Sequence, residues 1–269
     1  MANVAYILKQ TVTYKICREL WENFVDFIEI VGKIAICSYE TLRAIFRYEL
    51  QKKEVIEQCE RFGVSSLPIT LSIVGMTSVI IVSQIAQEMV KQGGGNVVGA
   101  LVGILMVREL GVIMSGFAII SMIGSSLASE LATMRVTEQI DALRTLKVNP
   151  FGYLFAPRVA AGMLMMPLVV IVSSLFGIIT AALTSKLVAG LSYRAFWESL
   201  WIGIFAKDMF VTIAKAICFG GAIALISCTF GYYASGGAKG VGIATTRAVV
   251  WSFVTIVIID LIFAIGFFF

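Results

Sequence analysis

Polar and charged segments divide the chain into five long apolar runs. Two of them, Phe62–Gln87 and Val159–Ser185, contain no charged residue. A helix that crosses a bilayer needs about 20 predominantly apolar residues, and each run is long enough. The pattern predicts an all-α membrane protein with five transmembrane helices, at 67–89, 97–128, 159–185, 203–230 and 249–269.

The stretches between these runs are predicted connections. Residues 91–96 predict a turn, 186–199 a polar connection and 231–247 a Gly-rich loop. Residues 129–158 form a longer polar and charged stretch that ends near Asn149, Pro150 and Pro157. Within it, 130–143 has helical spacing, which places Arg135 near Glu138 and Asp141 near Arg144. A short amphipathic helix here either docks into a partner's groove or is a solvated loop helix.

The first 61 residues differ from the rest, so we divide the chain into 1–61 and a membrane domain at 62–269. Apolar residues recur there at three- and four-residue steps, which predicts one apolar stripe on a helix. The stripe consists of Leu20, Phe24, Phe27, Ile28, Val31, Ile34, Leu42, Ile45 and Phe46. An amphipathic helix with basic flanks typically lies in the membrane interface, on the anionic cytoplasmic leaflet, and we predict this position for the N-terminal helix. A cytosolic helix packed on a partner is the alternative.

Composition supports the membrane assignment and excludes several kinds of chemistry. Hydrophobic residues make up 59% of the chain and charged residues 14%, whereas a soluble domain carries about 25% charge. The absence of histidine excludes His-ligated metals and Ser-His-Asp triads. No Cys-x-x-Cys occurs, and we expect no cofactor or metal. In a membrane protein, a modest net charge of +4 is more relevant to membrane orientation and lipid headgroups than to nucleic-acid binding. We therefore expect no nucleic-acid partner.

Basic residues predict the orientation in the membrane. The segments 1–61, 129–158 and 231–247 together carry fifteen Lys and Arg residues, whereas the alternate connections carry three. The positive-inside rule places the fifteen in the cytoplasm. The N-terminus is therefore predicted inside and, after five spans, Phe269 outside.

Six charged residues fall within the predicted spans: Arg108, Glu109, Lys207, Asp208, Lys215 and Asp260. A charge at the bilayer centre costs about 2.5–3.5 kcal/mol on insertion scales, so it normally faces a partner or a cavity. We expect Glu109, Lys215 and Asp260 to form a buried network, and Arg108 to face a cavity and a lipid phosphate. The alternative is that all of these charges form packing pairs without lipid contact.

Small and polar residues leave further alternatives open. Gly99 and Gly103 fit the Gly-x-x-x-Gly spacing, which allows close helix approach either in a dimer or within one subunit. The polar residues of the first span could line a cavity or bond to neighbouring helices: Ser72, Thr77, Ser78, Ser83 and Gln84.

Several of these segments together resemble a known family. They are Arg108-Glu-Leu-Gly111, Gly124-Ser125, Glu130 and the run Met134–Leu143, with Gly236–Val249 before the last span. This pattern over roughly 60–269 is similar to MlaE-type permeases, the membrane subunits of ABC transporters that move lipids together with MCE proteins. The sequence has Val112 where the family usually has Pro, and Met122 where it often has Arg.

The resemblance implies roles for particular residues. The 130–143 helix would be the coupling helix that sits in a groove of the ATPase, and six residues would face or brace that subunit: Glu130, Met134, Arg135, Glu138, Gln139 and Asp141. Two permeases would form a homodimer in the inner membrane. A lipid cavity with Arg108, Glu109 and Gln84 would open towards a periplasmic MCE protein.

The missing motifs bear on the mechanism. No G-x-x-x-x-G-K-[ST] occurs, so ATP hydrolysis would belong to a partner chain and this subunit is not expected to be an enzyme. An ion-coupled secondary transporter that uses intramembrane carboxylates is the alternative function. Five spans without inverted halves argue against it. An intramembrane enzyme that uses Glu109 or Asp260 is more remote, because no paired carboxylate motif occurs.

Overall fold

A computed structural model describes residues 2–47 and 52–268, with side chains described for 18–22, 24–47 and 52–267. The described chain is helical and contains no strand, which confirms the all-α prediction. Five helical stretches are long and apolar enough to cross a membrane: Lys52–Lys91, Gly95–Val136, Phe151–Ala189, Ala206–Tyr232 and Gly237–Phe267. The five predicted spans are confirmed. The first three extend beyond both predicted limits, the fourth begins three residues later than predicted, and the last begins twelve residues earlier. The predicted side of Phe269 lies outside the described residues.

The helices are α1 (Ala2–Phe46), α2 (Lys52–Glu60), α3 (Leu67–Lys91), α4 (Val98–Leu105), α5 (Gly111–Ile119), α6 (Ser125–Val136), α7 (Gln139–Thr145), α8 (Ala156–Ala189), α9 (Tyr193–Gly203), α10 (Ala206–Tyr232) and α11 (Gly237–Phe268). Wider π-helical turns at Arg61–Ser65, Met106–Leu110, Ile120–Gly124 and Phe151–Phe155 connect or begin several of them. Two of these turns join α4, α5 and α6 into one continuous second span. The proposed boundary after residue 61 lies inside the continuous first span.

Helix α1 is a single long helix, and many of its described apolar side chains are exposed, including Phe24 and Ile28. Phe27 contacts the Trp251 ring of α11, with centroids 5.3 Å apart. Further along, Cys37 is buried against the π-helical turn that precedes α8 and against the end of α10. Residues 48–51, and the side chains before residue 18, lie outside the described residues.

Two predicted connections are largely helical. The polar connection at 186–199 is largely helical, because α8 runs to Ala189 and α9 begins at Tyr193. The Ser192 hydroxyl caps α9 by accepting the Ala195 N–H at 3.2 Å. The Gly-rich loop at 231–247 is also shorter than predicted, since α11 begins at Gly237 after the left-handed Gly236 (φ 93°). Glycine adopts a positive φ at little cost, and the residues after Gly236 form α11.

Close backbone approach defines two helix contacts inside the chain. Gly99 of α4 lies against the Phe196 carbonyl of α9, so the Gly99–Gly103 stripe packs within one subunit. Gly162 of α8 and Gly220 of α10 face each other directly. Around this crossing, apolar residues from the five spans form the largest core cluster. The first span joins it through Phe62. The Ser78 hydroxyl donates to the Gly177 carbonyl, further along α8, at 2.7 Å.

Candidate functional site

The π-helical turn Met106–Leu110 places two charges in the middle of the second span. Its wider backbone interrupts the regular helix, and such turns occur frequently at functional sites. The Lys215 ammonium, with no exposed side-chain surface, lies 3.2 Å from Glu109 and 2.6 Å from Asp260. It also donates to the Arg108 carbonyl at 2.9 Å. The structure therefore brings together the three residues of the proposed network, from three different spans.

Arg108 has a partner that sequence reasoning did not assign. Its guanidinium lies 3.0 Å from the Asp208 carboxylate, whose side chain is only 3% exposed. Asp208 also accepts the Phe205 N–H at 3.1 Å in the first turn of α10. The signal that could have pointed to this contact is an acidic residue in the first turn of a helix, a position that favours negative charge. Arg108 retains 27% side-chain exposure, so it has both a packing partner and an accessible side.

Gln84 is exposed on α3 and makes no hydrogen bond to another described residue. Its neighbours Thr77 and Ser83 instead donate to carbonyls of their own helix. Gln84, like Gln87 on the same helix, presents an exposed amide beside α3.

A second charged cluster lies where the polar stretch after the second span meets the first and third spans. Glu130 of α6 accepts from Arg61 at 2.9 Å and from Arg158 at 2.7 Å. Arg158 is buried and also donates to the Leu154 carbonyl at 2.6 Å. Glu130 therefore binds helices of its own subunit together, which is a bracing position rather than an exposed one. We call this end of the bundle the basic end, defined by Arg61, Arg144 and Arg158.

The single helix predicted over 130–143 is wrong, because the chain reverses inside it. Helix α6 ends at Val136, Glu138 adopts a left-handed conformation (φ 60°), and α7 follows. The Thr137 hydroxyl donates to the Thr133 carbonyl, a local bond that competes with continued helix. Because of the reversal, Arg135 pairs with Asp141 at 2.6 Å and not with Glu138.

The reversal exposes one part of the segment and anchors the other. Glu138 and Gln139 are exposed at its tip, whereas Met134, Arg135 and Asp141 are half-buried. Ile140 is fully buried in a cluster with aromatic residues. Leu146, 73% exposed just after α7, is an apolar contact candidate that sequence analysis missed.

Helix α7 is also fastened to the end of α10. The Arg144 guanidinium donates to the Tyr232 hydroxyl and lies 5.5 Å from the centre of its ring. The Tyr232 ring in turn packs on Phe151 and Phe155. Close by, burial raises the pKa of the Cys37 thiol, so the thiol is neutral at pH 7 and acts as a packing group.

Comparisons with known proteins agree with this architecture. The sequence model of the family described as Permease MlaE matches residues 55–265. A probable ABC transporter permease protein of Rickettsia prowazekii is 33% identical over 91% of this chain and 94% of its own length. One from Porphyra purpurea is 38% identical over 75% of this chain and 77% of its own length.

A plant protein is also similar. The chloroplastic protein trigalactosyldiacylglycerol 1 of Arabidopsis thaliana is 33% identical over 87% of this chain and 67% of its own length. The family match spans most of the chain, including the mid-span charges and the α6–α7 reversal. With five apolar spans in an all-helical fold, the chain belongs to the MlaE family of ABC transporter permeases.

Proposed function

We propose that this permease moves phospholipids or similar lipids between the inner membrane and a periplasmic MCE-domain protein. An ABC permease works with ATPase subunits, and the anchored α6–α7 reversal is the observation that carries the coupling part of the proposal. Glu138 and Gln139 project from it, whereas Ile140 is held inside the bundle. The lipid part is supported by the family match and by the Arabidopsis thaliana relative, which is named after the galactolipid trigalactosyldiacylglycerol.

The contacts of α7 suggest how a movement of the ATPase is transmitted to the transmembrane helices. Arg144 links α7 to Tyr232 of α10, and Arg135 and Asp141 hold α6 and α7 together. Glu130 ties α6 to Arg61 and Arg158, so α6 moves with the first and third spans. Rigid helices joined in this way shift together when one of them is displaced.

The proposed lipid path lies between two copies of the chain. Arg108, Glu109 and Gln84 would face it, and Arg108 would offer its accessible side to a headgroup phosphate while Asp208 holds its orientation. In this arrangement the N-terminus is cytoplasmic and the C-terminus periplasmic.

Copurification with the ATPase tests the coupling role. The wild-type chain is expected to retain the ATPase subunit, and Glu138→Lys to lower retention by at least about tenfold, because charge reversal at a contact opposes binding. Glu88→Lys is the matched control, since Glu88 is also exposed but lies on α3 in a pair with Lys91. Failure of the wild-type chain to retain an ATPase would contradict the assignment of α7.

Transport in proteoliposomes tests the lipid and the energy source. Vesicles that contain the permease, its ATPase and a fluorescent phospholipid are expected to transfer lipid to an MCE protein only with ATP. Transfer driven by a proton gradient without ATP would instead support an ion-coupled transporter.

A further inference from the structure

A cavity of about 240 Å³ lies between α1, the end of α10 and the first turns of α11. Lys33 of α1 and Arg247 of α11 line it from opposite sides, and Tyr233 and Ser235 line it from the α10–α11 connection. No acidic residue is among its lining residues. The cavity is separate from the mid-span charges, because neither Arg108 nor Lys215 contributes to it.

The two cations differ in their existing partners. Lys33 forms an ion pair with Glu29 at 2.6 Å and lies 5.2 Å from the Tyr233 ring centre. Arg247 is exposed, and its side chain has no ion pair or hydrogen bond within the described chain. Arg247 lies near the N-terminal end of the long helix α11, so its guanidinium is available to an anion at the membrane interface.

The N-terminus of α11 adjoins the cavity, which Ser235 and Gly240 line. Gly236 and Gly237 both have positive φ, and α11 begins there as a helix of 32 residues. The first N–H groups of a helix lack partners within the helix, and the helix dipole favours an anion near them. Ser235 contributes a hydroxyl at the same point.

We propose that this cavity binds the phosphate group of an anionic phospholipid from the leaflet at the basic end. A phospholipid fits the cavity better than free phosphate, because the apolar residues Ile30, Phe230 and Ile243 also line it. Helix α1 exposes further apolar side chains next to it, which acyl chains would cover. A bound lipid holds α1 against the α10–α11 connection. The site does not depend on whether the transported substrate is a lipid.

Native mass spectrometry of the purified full-length chain tests the site. The probes are phosphatidylglycerol, a diacylglycerol with the same acyl chains, and inorganic phosphate. Phosphatidylglycerol is expected to bind more tightly than either of the others. Arg247→Gln is expected to weaken its binding about fivefold, the equivalent of about 1 kcal/mol for one basic residue near a lipid surface. Lys33→Gln added to it is expected to weaken binding further.

The control is Arg43→Gln, which removes one exposed charge from α1 outside the cavity and is expected to leave binding unchanged. Arg247→Gln removes no contact within the described chain, so its melting temperature is expected to match the wild type. Equal losses in the Arg43 and Arg247 variants, or equal binding of diacylglycerol, would overturn the site. Inorganic phosphate that binds as tightly as the lipid would overturn the lipid as its source.

Discussion

Lys215 shows how a charge is accommodated within the bundle. Its ammonium has three hydrogens, and Glu109, Asp260 and the Arg108 carbonyl lie within 2.6–3.2 Å of it. The sequence indicated this grouping, since three charges in three spans had to find partners. It did not indicate that Asp208 holds Arg108, because that contact depends on how the start of α10 meets the second span.

Replacing Lys215 by Met is expected to destabilise the protein by up to about 3–5 kcal/mol, because it leaves the half-buried carboxylates of Glu109 and Asp260 without their cation. Thermal unfolding in detergent is the measurement. Lys186→Met serves as the control, since Lys186 is exposed and only lies over the Tyr193 ring. Adding Glu109→Gln and Asp260→Asn to Lys215→Met is expected to restore part of the stability. A single Lys215→Met variant as stable as the wild type would show that the network does not hold the spans together.

The pairing of helices depends on small residues at particular crossings. The backbones of α8 and α10 meet at Gly162 and Gly220, where a Cβ on Gly220 would meet the Gly162 carbonyl. At the adjacent Gly221, an added Cβ would meet only the flexible Met163 side chain, at 3.1 Å. Glycine spacing is visible in the sequence, but not which helix it faces. Gly99 and Gly103 illustrate this, since they pack on α9, a helix that the sequence did not predict.

Gly220→Ala is expected to lower the free energy of unfolding by about 1–3 kcal/mol, because overpacking forces the two backbones apart. Gly221→Ala, one residue away on the same helix, is expected to change it by less than about 0.5 kcal/mol. Melting temperatures of the two variants measured side by side give the comparison. Similar values for both would mean that α8 and α10 do not pack as closely as described.

The whole bundle sorts its polar segments to two ends. Arg61, Glu130, Arg158 and the Arg144–Tyr232 contact meet at the basic end. Helix α9 lies on the far side of the bundle from these residues, where Lys207 also donates to the Phe267 carbonyl at 2.7 Å. The segments that the positive-inside rule assigns to the cytoplasm thus come together in space. The fold places these segments at one end of the bundle, and the positive-inside rule assigns that end to the cytoplasm.

Protease sites inserted into two exposed turns are expected to be cut from opposite sides of the membrane. One insertion follows Gly93, and the other follows Lys147; both residues have positive φ and lie outside the helices. In inside-out vesicles, cleavage is expected after Lys147 and protection after Gly93. Detergent is the control, because it should allow both cuts. The reverse pattern would show that the N-terminus lies outside.

The sequence by itself determined the helical class, the five spans and the identity of the charges that had to be neutralised. These follow from apolar run length and from the cost of burying a charge, which are properties of local sequence. Only the tertiary structure decided that α6 and α7 reverse at Glu138, that Arg108 pairs with Asp208 and that Lys33 and Arg247 face one cavity. The ion pair and the cavity join residues that are distant in sequence, and the turn at Glu138 depends on one backbone dihedral angle. Hydrophobic periodicity carries no information about long-range contacts or about single dihedral angles.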